Sequence, residues 1–441
     1  MSALTAGNLV MPAFRPRATA TRRPWFYALF LCIVFFMANH NWYAASAWEE
    51  TNSTDVSNLV SRMAEGQLSR QVAFVAMLGV GLVGIVLPSP RRMRVDLLIL
   101  YPLLLLCAWC LLSILWSQAP MMTAKRFIVF FAMAATVLAI VRQFSLNFLV
   151  ILSLCYGGMS LMLAVPAEIL NANFSQAGYR FAGTMHPNHT GVCMVLLMLA
   201  ALALADWQDR RRRWFFALAG VAFLVLLLTQ SRTALLAGMF AAMVMTVLRW
   251  PLRRLLLVGL PILWIILVGG TLYSLELIPP IWQDAINMNR QDADATTLTG
   301  RTDIWKFALG HLTNDETRLL IGFGYDTFWT PEMARAVSKF VQFKISEGHS
   351  AYIDATLETG LIGASLYVFC LYATFFRWCW YAWKTKAAVA AFAAAIPAFA
   401  MVHGFAESAT VDAHTWTLLL FACIAFAGLA KPNLNKGTLS A

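Results

Sequence analysis

The chain has 441 residues, of which 60% are hydrophobic and only 12% are charged. Soluble domains carry roughly 45–50% apolar and about 25% charged residues, so this composition excludes a soluble enzyme, a disordered chain and a disulfide-rich secreted scaffold. The net charge of +11 does not indicate nucleic-acid binding, because the basic residues lie in short clusters between apolar segments, where membrane topology places them.

Twelve apolar segments follow one another along the chain, most of them close to the roughly 17–25 residues that a helix needs to cross a bilayer. In chain order they are 24–39, 71–87, 95–116, 127–141, 147–165, 188–205, 214–229, 233–248, 255–273, 351–376, 387–402 and 415–429. This pattern predicts a single all-α polytopic membrane domain over residues 1–441, with about twelve transmembrane helices. The eight cysteines lie in apolar stretches, and we interpret even Cys107 and Cys110 as packing residues.

Basic residues mark one side of the predicted membrane. They adjoin the starts of odd-numbered segments and the ends of even-numbered ones, in clusters that include Arg15, Arg17, Arg22, Arg23, Arg91, Arg92, Arg94, Arg142, Arg210–Arg213, Arg249, Arg253, Arg254, Arg377, Lys384, Lys386, Lys431 and Lys436. By the positive-inside rule this side is cytoplasmic, and both termini lie there. The first segment and the following Ala45-Ser46-Ala47 imitate a signal peptide, but we expect an uncleaved first helix.

A stretch of ordinary soluble composition separates the ninth and tenth apolar segments. Residues 274–350 are predicted to form one large loop on the outer side that contains helices and forms part of the functional site. Apolar residues recur at helical spacing from Ile304 to Leu312, after the candidate N-cap residues Thr302 and Asp303.

Cations on the outer side break the positive-inside pattern and are therefore the most informative charges. Arg180 and Arg232 lie in short outer connections, Arg301 lies in the large loop, and Lys125 and Arg126 open the fourth segment from the same side. The three separate guanidinium groups of Arg180, Arg232 and Arg301 on one face suit bidentate binding of phosphate oxygens. The alternatives are that each arginine reaches lipid headgroups or pairs with a carboxylate of the loop.

His349 is a candidate general base, because it stands where the outer loop enters the tenth segment. The positive end of a helix dipole disfavours imidazolium, so we expect a neutral imidazole at physiological pH. A neutral imidazole can accept a proton from a hydroxyl group. The alternative is a solvated or capping histidine.

Two further motifs contain residues of types that bind metal ions. His186 and His189 flank Pro187-Asn188 and lack a third ligand nearby, so we do not predict a metal there. Asp292 and Asp294 resemble an acidic pair that holds a divalent cation, and this alternative stays open. Our prediction is that the protein uses neither a metal ion nor a cofactor.

The position of each carboxylate in the apolar pattern predicts whether it is buried or solvated. Glu358 lies inside the tenth segment, so it needs a partner or belongs to the functional site. Glu168, Glu407 and Asp412 lie at outer helix ends, and we interpret them as solvated.

The region around His349 also carries a family motif. His349-Ser350, nine intervening residues and Gly360-Leu361-Ile362-Gly363 fit a spacing associated with bacterial O-antigen ligases. Residues 183–188, 231–234, 300–305 and 357–361 are similar to signatures of the same family, which also includes O-antigen polymerases and bacterial O-oligosaccharyltransferases. The order of apolar segments and one large, late outer loop resembles that family over most of the chain.

The resemblance implies a multi-pass protein of the bacterial inner membrane with its active site facing the periplasm. It implies transfer of O-antigen polysaccharide from undecaprenyl pyrophosphate to a hydroxyl of the lipid A-core oligosaccharide, by a metal-independent, inverting reaction. For that reaction we expect His349 to act as general base, while Arg232 and Arg301 stabilise the pyrophosphate. We expect the substrate also to contact Arg180, Lys125, Arg126, His186, Asn188 and Glu358. The expected partners are the donor, the acceptor and membrane lipids, with the protein acting as a monomer.

Alternatives remain inside and outside this family. An O-antigen polymerase or a protein O-oligosaccharyltransferase would differ in the acceptor. A transporter of lipid-linked oligosaccharides would need polar residues at mid-membrane depth and paired broken helices. A structural membrane protein would have no use for arginines at three separate outer turns.

Overall fold

The structure is a computed structural model that describes residues 24–39, 68–89, 93–171, 179–206, 209–251, 253, 257, 268, 301–341, 345, 347–408 and 414–429. Within these residues the secondary structure is helical, without a β-strand. Asp292, Asp294, Asp412 and all but two residues of the ninth predicted segment lie outside the described residues.

Fourteen α-helices make up the described part of the chain. They are α1 (Pro24–Asn39), α2 (Leu68–Val86), α3 (Leu97–Leu112), α4 (Pro120–Gln143), α5 (Asn147–Asn171), α6 (Pro187–Ala205), α7 (Arg212–Leu228), α8 (Arg232–Arg249), α9 (Arg301–Thr313), α10 (Glu316–Ile321), α11 (Pro331–Val341), α12 (Ala351–Thr385), α13 (Ala388–His403) and α14 (Thr415–Leu429). Every predicted apolar segment other than the ninth coincides with one of these helices. Within the described part of the chain, seven helical stretches are long and apolar enough to cross a membrane by length and composition: α2, α3 with the turn after it, α4, α5, α6, α8 and α12. The all-helical polytopic architecture is thereby confirmed, while the total near twelve and the side of each terminus stay predictions.

Helices that are apolar on every side form the centre of the bundle. Nearly all of α6, α13 and α14 is buried, as expected for a helix without a polar face. The run of alanines in α13 lets α8 and α12 pack closely against it. By contrast, α2 and α3 leave large apolar side chains exposed on the outside of the bundle, which suits contact with lipid.

The loop between the ninth and tenth predicted segments folds into a small helical layer. Ile304, Leu312, Phe328 and Val337 are fully buried together within α9, α11 and the turn between α10 and α11. The helix predicted from Ile304 to Leu312 is confirmed as α9. It begins at Arg301, so Thr302 and Asp303 lie in its first turn rather than at its cap.

A break in α12 joins this layer to the membrane-embedded helices. Gly360 has a left-handed φ of 67° inside α12, which interrupts the helical hydrogen bonds. The carbonyls of Leu357 and Glu358 instead accept hydrogen bonds from the backbone N–H groups of Phe323 and Gly324, both at 2.9 Å. The hydropathy pattern predicts a continuous helix here and misses the break.

We expect Gly360→Ala to destabilise the protein. A Cβ at Gly360 would lie 2.2 Å from the carbonyl oxygen of Leu320, and a left-handed conformation costs a non-glycine residue about 1–3 kcal/mol. Thermal unfolding in detergent, followed by size-exclusion chromatography, measures the loss. Gly158→Ala in α5 is the matched control, because a Cβ there would meet nothing within 4 Å. Equal melting of the two variants would show that the break is dispensable.

Candidate active site

A buried carboxylate that follows α13 connects most of the predicted site residues. Glu407 is 6% exposed. Its Oε1 accepts hydrogen bonds from Arg301 Nη2 and from Asn188 Nδ2, both at 2.8 Å. Its Oε2 lies 3.5 Å from His349 Nδ1. Glu407 therefore brings together residues from the start of α9, the start of α6 and the loop before α12.

Arg180 extends this cluster by one step. Its Nη2 donates to Asn188 Oδ1 at 2.7 Å, and its Nε donates to the carbonyl of Thr229 at 3.0 Å. Thr229 belongs to the turn that precedes α8, and Arg232 is the first residue of that helix. The side chain of Asn188 thus links Arg180 to Glu407, and the loop that carries Arg180 is docked on the turn that leads to Arg232.

His349 is held in an unusual backbone conformation. Its φ of 49° is left-handed, which is uncommon for a residue other than glycine. The preceding carbonyl, that of Gly348, accepts a hydrogen bond from Trp305 Nε1 at 2.8 Å. On the other side, the N–H of Ala351 donates to the carbonyls of Gly404 and Glu407. Strained backbone of this kind persists where the surroundings over-determine it, as they do at functional sites.

Two carboxylates set the charge state of His349. Burial by itself lowers the pKa of His349, but the close carboxylate of Glu407 and the charge of Glu347 outweigh burial. Glu347 Oε1 lies 3.4 Å from Nδ1, and Arg301 opposes the two carboxylates only in part. The net pKa is raised above its ordinary value. The prediction that the helix dipole lowers this pKa is therefore wrong in direction.

Glu407 remains ionised in this setting. Burial raises the pKa of its carboxyl group, but the close approach and charge of His349 and the charge of Arg301 lower it to about 2. A carboxylate facing Nδ1 favours the tautomer with its proton on that atom. In that tautomer Nε2 of His349 is the nitrogen that can accept a proton.

The histidine and asparagine at the start of α6 have structural contacts. His186 is the N-cap residue of α6, where its Nδ1 accepts a hydrogen bond from the N–H of Asn188 at 3.2 Å. Burial lowers the pKa of His186 to about 3, and the charges of His189 and Arg180 add to this effect. His186 is therefore a neutral acceptor, and its predicted substrate contact stays a prediction.

Lys125, Arg126 and Glu358 lie elsewhere. Arg126 Nη1 pairs with the carboxylate of Asp326 at 2.5 Å and also donates to the Asp326 carbonyl, while Lys125 is exposed. Glu358 is buried on α12. Among the described residues, no hydrogen bond or ion pair joins any of these three to the cluster around Glu407. Their predicted roles in substrate binding stay predictions.

Two carboxylates differ from the prediction. The sequence predicts that Glu407 and Glu168 are solvated, but both are buried. Glu168 Oε1 accepts hydrogen bonds from the N–H groups of Ala182 and Gly183 at 2.8 and 2.6 Å, which shapes the loop that follows Arg180. Glu347 also escaped notice, although its position two residues before His349 was an available signal.

Three side chains of this cluster are of types that bind metals. Glu347, His349 and Glu407 each offer an atom, and these atoms lie within 4.8 Å of one another. However, Arg301 already donates to Glu407, and a guanidinium at 2.8 Å repels a divalent cation. The arrangement therefore fits a charge-paired imidazole better than a metal centre.

Comparison with known proteins identifies what the chain is similar to. Residues 217–368 match the model of a family described as O-Antigen ligase, a stretch that includes Arg232, Arg301 and His349. The exopolysaccharide production protein ExoQ of Rhizobium meliloti (strain 1021) is 25% identical over 280 residues, which are 60% of this chain and 62% of ExoQ. The chain thus matches less than two thirds of the length of that curated relative. The resemblance to the O-antigen ligase family is confirmed.

Proposed function

We propose that this chain, which resembles the O-antigen ligases, is a glycosyltransferase of the bacterial inner membrane. It transfers O-antigen polysaccharide from undecaprenyl pyrophosphate to a hydroxyl of the lipid A-core oligosaccharide at the periplasmic face. The observation that carries the proposal is the meeting of His349, Arg301 and Asn188 at the buried Glu407. This arrangement places a paired imidazole beside a guanidinium, as acid–base chemistry next to a phosphate requires.

His349 acts as the general base in this reaction. Its Nε2 accepts the proton of the acceptor hydroxyl while the hydroxyl oxygen forms a bond to the anomeric carbon. Nδ1–H faces Glu407, which orients the ring and stabilises the imidazolium that forms. A general base contributes typically about 10²–10⁴-fold to a rate.

The arginines act on the leaving group. The bond from the anomeric carbon to the phosphate oxygen breaks with inversion, and its electron pair stays on the diphosphate. Arg301 uses one nitrogen on Glu407, while Arg180 uses two nitrogens on Asn188 and Thr229. A guanidinium has five N–H donors, so Arg301 can bind Glu407 through one nitrogen and phosphate oxygens through others. Arg180 contributes its positive charge beside the same cluster. Arg232, at the start of α8, is proposed as a third such residue.

We expect Glu347→Gln to shift the pH dependence of transfer. A general base must be neutral, so the acid limb of kcat follows the pKa of His349. Removing one of the carboxylates that raise this pKa lowers it, which moves the acid limb to lower pH. The measurement is kcat between pH 5 and 9, with Glu332→Gln on α11 as a control at an exposed position. A limb that stays in place or moves upward would contradict this assignment.

Chelation of divalent cations with EDTA is expected to leave transfer unchanged. Arg301 supplies the positive charge that a cation would otherwise provide at Glu407. Strong inhibition by EDTA that is reversed by Mg²⁺ would instead favour a cation held by Glu347, His349 and Glu407, or by Asp292 and Asp294.

The choice of acceptor tests the proposal directly. Purified protein is supplied with lipid-linked glycan and with one of three acceptors, and the products are separated on a gel. Transfer to core oligosaccharide supports a ligase, transfer to a second lipid-linked repeat supports a polymerase, and transfer to a protein hydroxyl supports an oligosaccharyltransferase. Movement of the lipid-linked glycan across vesicles without product would favour the transporter. The break in α12 argues against that class, because the carbonyls that lose their helical partners there accept hydrogen bonds from Phe323 and Gly324 rather than binding a substrate.

A further inference from the structure

A second buried carboxylate lies beside the candidate active site. Asp354, in the first turn of α12, is 4% exposed. Its Oδ1 accepts hydrogen bonds from Trp329 Nε1 at 2.8 Å and from the N–H of Gly348 at 3.1 Å. Its Oδ2 accepts a hydrogen bond from Ser408 Oγ. One carboxylate therefore holds three segments that are distant in the sequence.

Two of these segments carry the reacting pair. Gly348 immediately precedes His349, and Ser408 immediately follows Glu407. The contact with Gly348 is tight, because a Cβ at that position would lie 2.2 Å from Asp354 Oδ1. Trp329 ties the same carboxylate to the outer helical layer. Any shift of Asp354 thus displaces both the imidazole and the carboxylate that faces it.

We propose that Asp354 is a positioning residue that fixes the separation of His349 and Glu407. Asp354 accepts hydrogen bonds from the backbone of Gly348, beside His349, and from the side chain of Ser408, beside Glu407. The bond to Gly348 holds His349 in its left-handed conformation. Its effect on catalysis rests on the proposed function, whereas its effect on the geometry of His349 does not.

The charges around His349 make this geometry measurable. Glu347 faces it from its own segment, Glu407 from the segment after α13, Arg301 from the start of α9, His186 from the start of α6 and Asp354 from the first turn of α12. The contribution of Glu407 depends on the 3.5 Å separation from Nδ1. A looser loop weakens that contribution, so the pKa of His349 falls and more of the imidazole is neutral near pH 7.

Two substitutions separate positioning from charge. Asp354→Asn is nearly isosteric: its carbonyl can accept from Trp329 and Gly348, and its amide can donate to Ser408 Oγ. Asp354→Ala removes all three bonds. We expect kcat of Asp354→Ala to fall about 10²-fold, which is typical of a displacement near 1 Å, with KM for the lipid-linked donor nearly unchanged. Asp354→Asn is expected to restore most of the activity.

A chemical readout tests the geometry without any transfer assay. Diethyl pyrocarbonate modifies neutral imidazole, and mass spectrometry of the His349 peptide gives the rate as a function of pH. We expect Asp354→Ala to shift this profile to lower pH by more than Asp354→Asn, because Asp354→Asn removes only the charge that faces His349, whereas Asp354→Ala also removes the three hydrogen bonds. Asp96→Ala is the control, because Asp96 pairs with Arg377 and caps α3 outside this cluster.

The outcomes are distinct. If Asp354→Ala retains the wild-type modification profile and kcat, the inference is wrong. If that variant does not fold, Ser408→Ala and Trp329→Phe each remove one donor and should shift the profile in the same direction by less; two unshifted profiles would also overturn it. If wild-type protein transfers glycan to no acceptor while the shift is observed, the proposed function fails and the positioning role stands.

Discussion

Replacing Arg301 by alanine is expected to reduce glycan transfer by at least about 10²–10³-fold, the cost of losing one donor that stabilises charge in a transition state. Two effects combine here. The variant loses a guanidinium for the diphosphate, and it leaves the buried Glu407 with Asn188 but without its ion-pair partner at 2.8 Å. Arg301→Lys should rescue poorly, because a point charge cannot hold Glu407 and phosphate oxygens in the same planar arrangement.

Initial rates with purified protein, lipid-linked donor and core acceptor measure this effect. Arg335→Ala provides the control, because Arg335 lies exposed on α11 in the same outer layer. His349→Ala should be no more damaging than Arg301→Ala. Wild-type rates for Arg301→Lys together with wild-type rates for His349→Ala would show that the site lies elsewhere.

Glu407→Gln is expected to lower kcat by about 10²–10⁴-fold, the range for a lost general base. Glutamine keeps an oxygen for Arg301 and Asn188, but it removes the charge that raises the pKa of His349. Burial and Arg301 then lower that pKa, so the remaining activity has its acid limb at lower pH. Glu407→Ala should also destabilise the protein by about 3–5 kcal/mol, because it leaves a buried charge unpaired.

The double variant Glu407→Gln/His349→Ala tests whether Glu407 and His349 act as one catalytic unit. Glu407→Gln should cause little additional loss in a His349→Ala background, since residues of one catalytic unit are not additive. Asp206→Asn is the matched control, because Asp206 pairs with Arg249 at the opposite end of α6. Additive losses in the double variant would argue that Glu407 serves Arg301 alone.

The hydropathy pattern predicts most helices well, because burial in lipid requires long apolar segments. The predicted segments 24–39 and 415–429 coincide with α1 and α14. The errors occur where charges belong to a helix. Thus α4 begins at Pro120, before Lys125 and Arg126, and α12 continues past Arg377 to Thr385, since Trp378, Tyr381 and Ala382 are still buried.

The site is only partly predictable for a different reason. Local motifs identify His349, Arg301 and Arg180, because each breaks a pattern that the surrounding sequence sets. The partner that joins them leaves no local trace, since Glu407 is 106 residues from Arg301 and 219 residues from Asn188. Only the packing of α6, α9 and α13 brings these residues together.

The predicted lowering of the pKa of His349 is wrong, because the sequence indicates the helix dipole but not the proximity of Glu347 and Glu407 to the imidazole. The interaction of a charged side chain with a helix dipole typically contributes about 0.3–1 kcal/mol. Glu347 and Glu407, at 3.4 and 3.5 Å from Nδ1, exert a larger and opposite effect.

The break at Gly360 has a mechanical consequence. The first turns of α12 are fastened to the outer layer through Phe323 and Gly324, whereas the longer part from Leu361 to Thr385 packs among the membrane-embedded helices. Gly360 therefore acts as a hinge between these two parts of α12. A change in bilayer thickness is expected to tilt the segment from Leu361 to Thr385 while the cluster around Glu407 keeps its spacing.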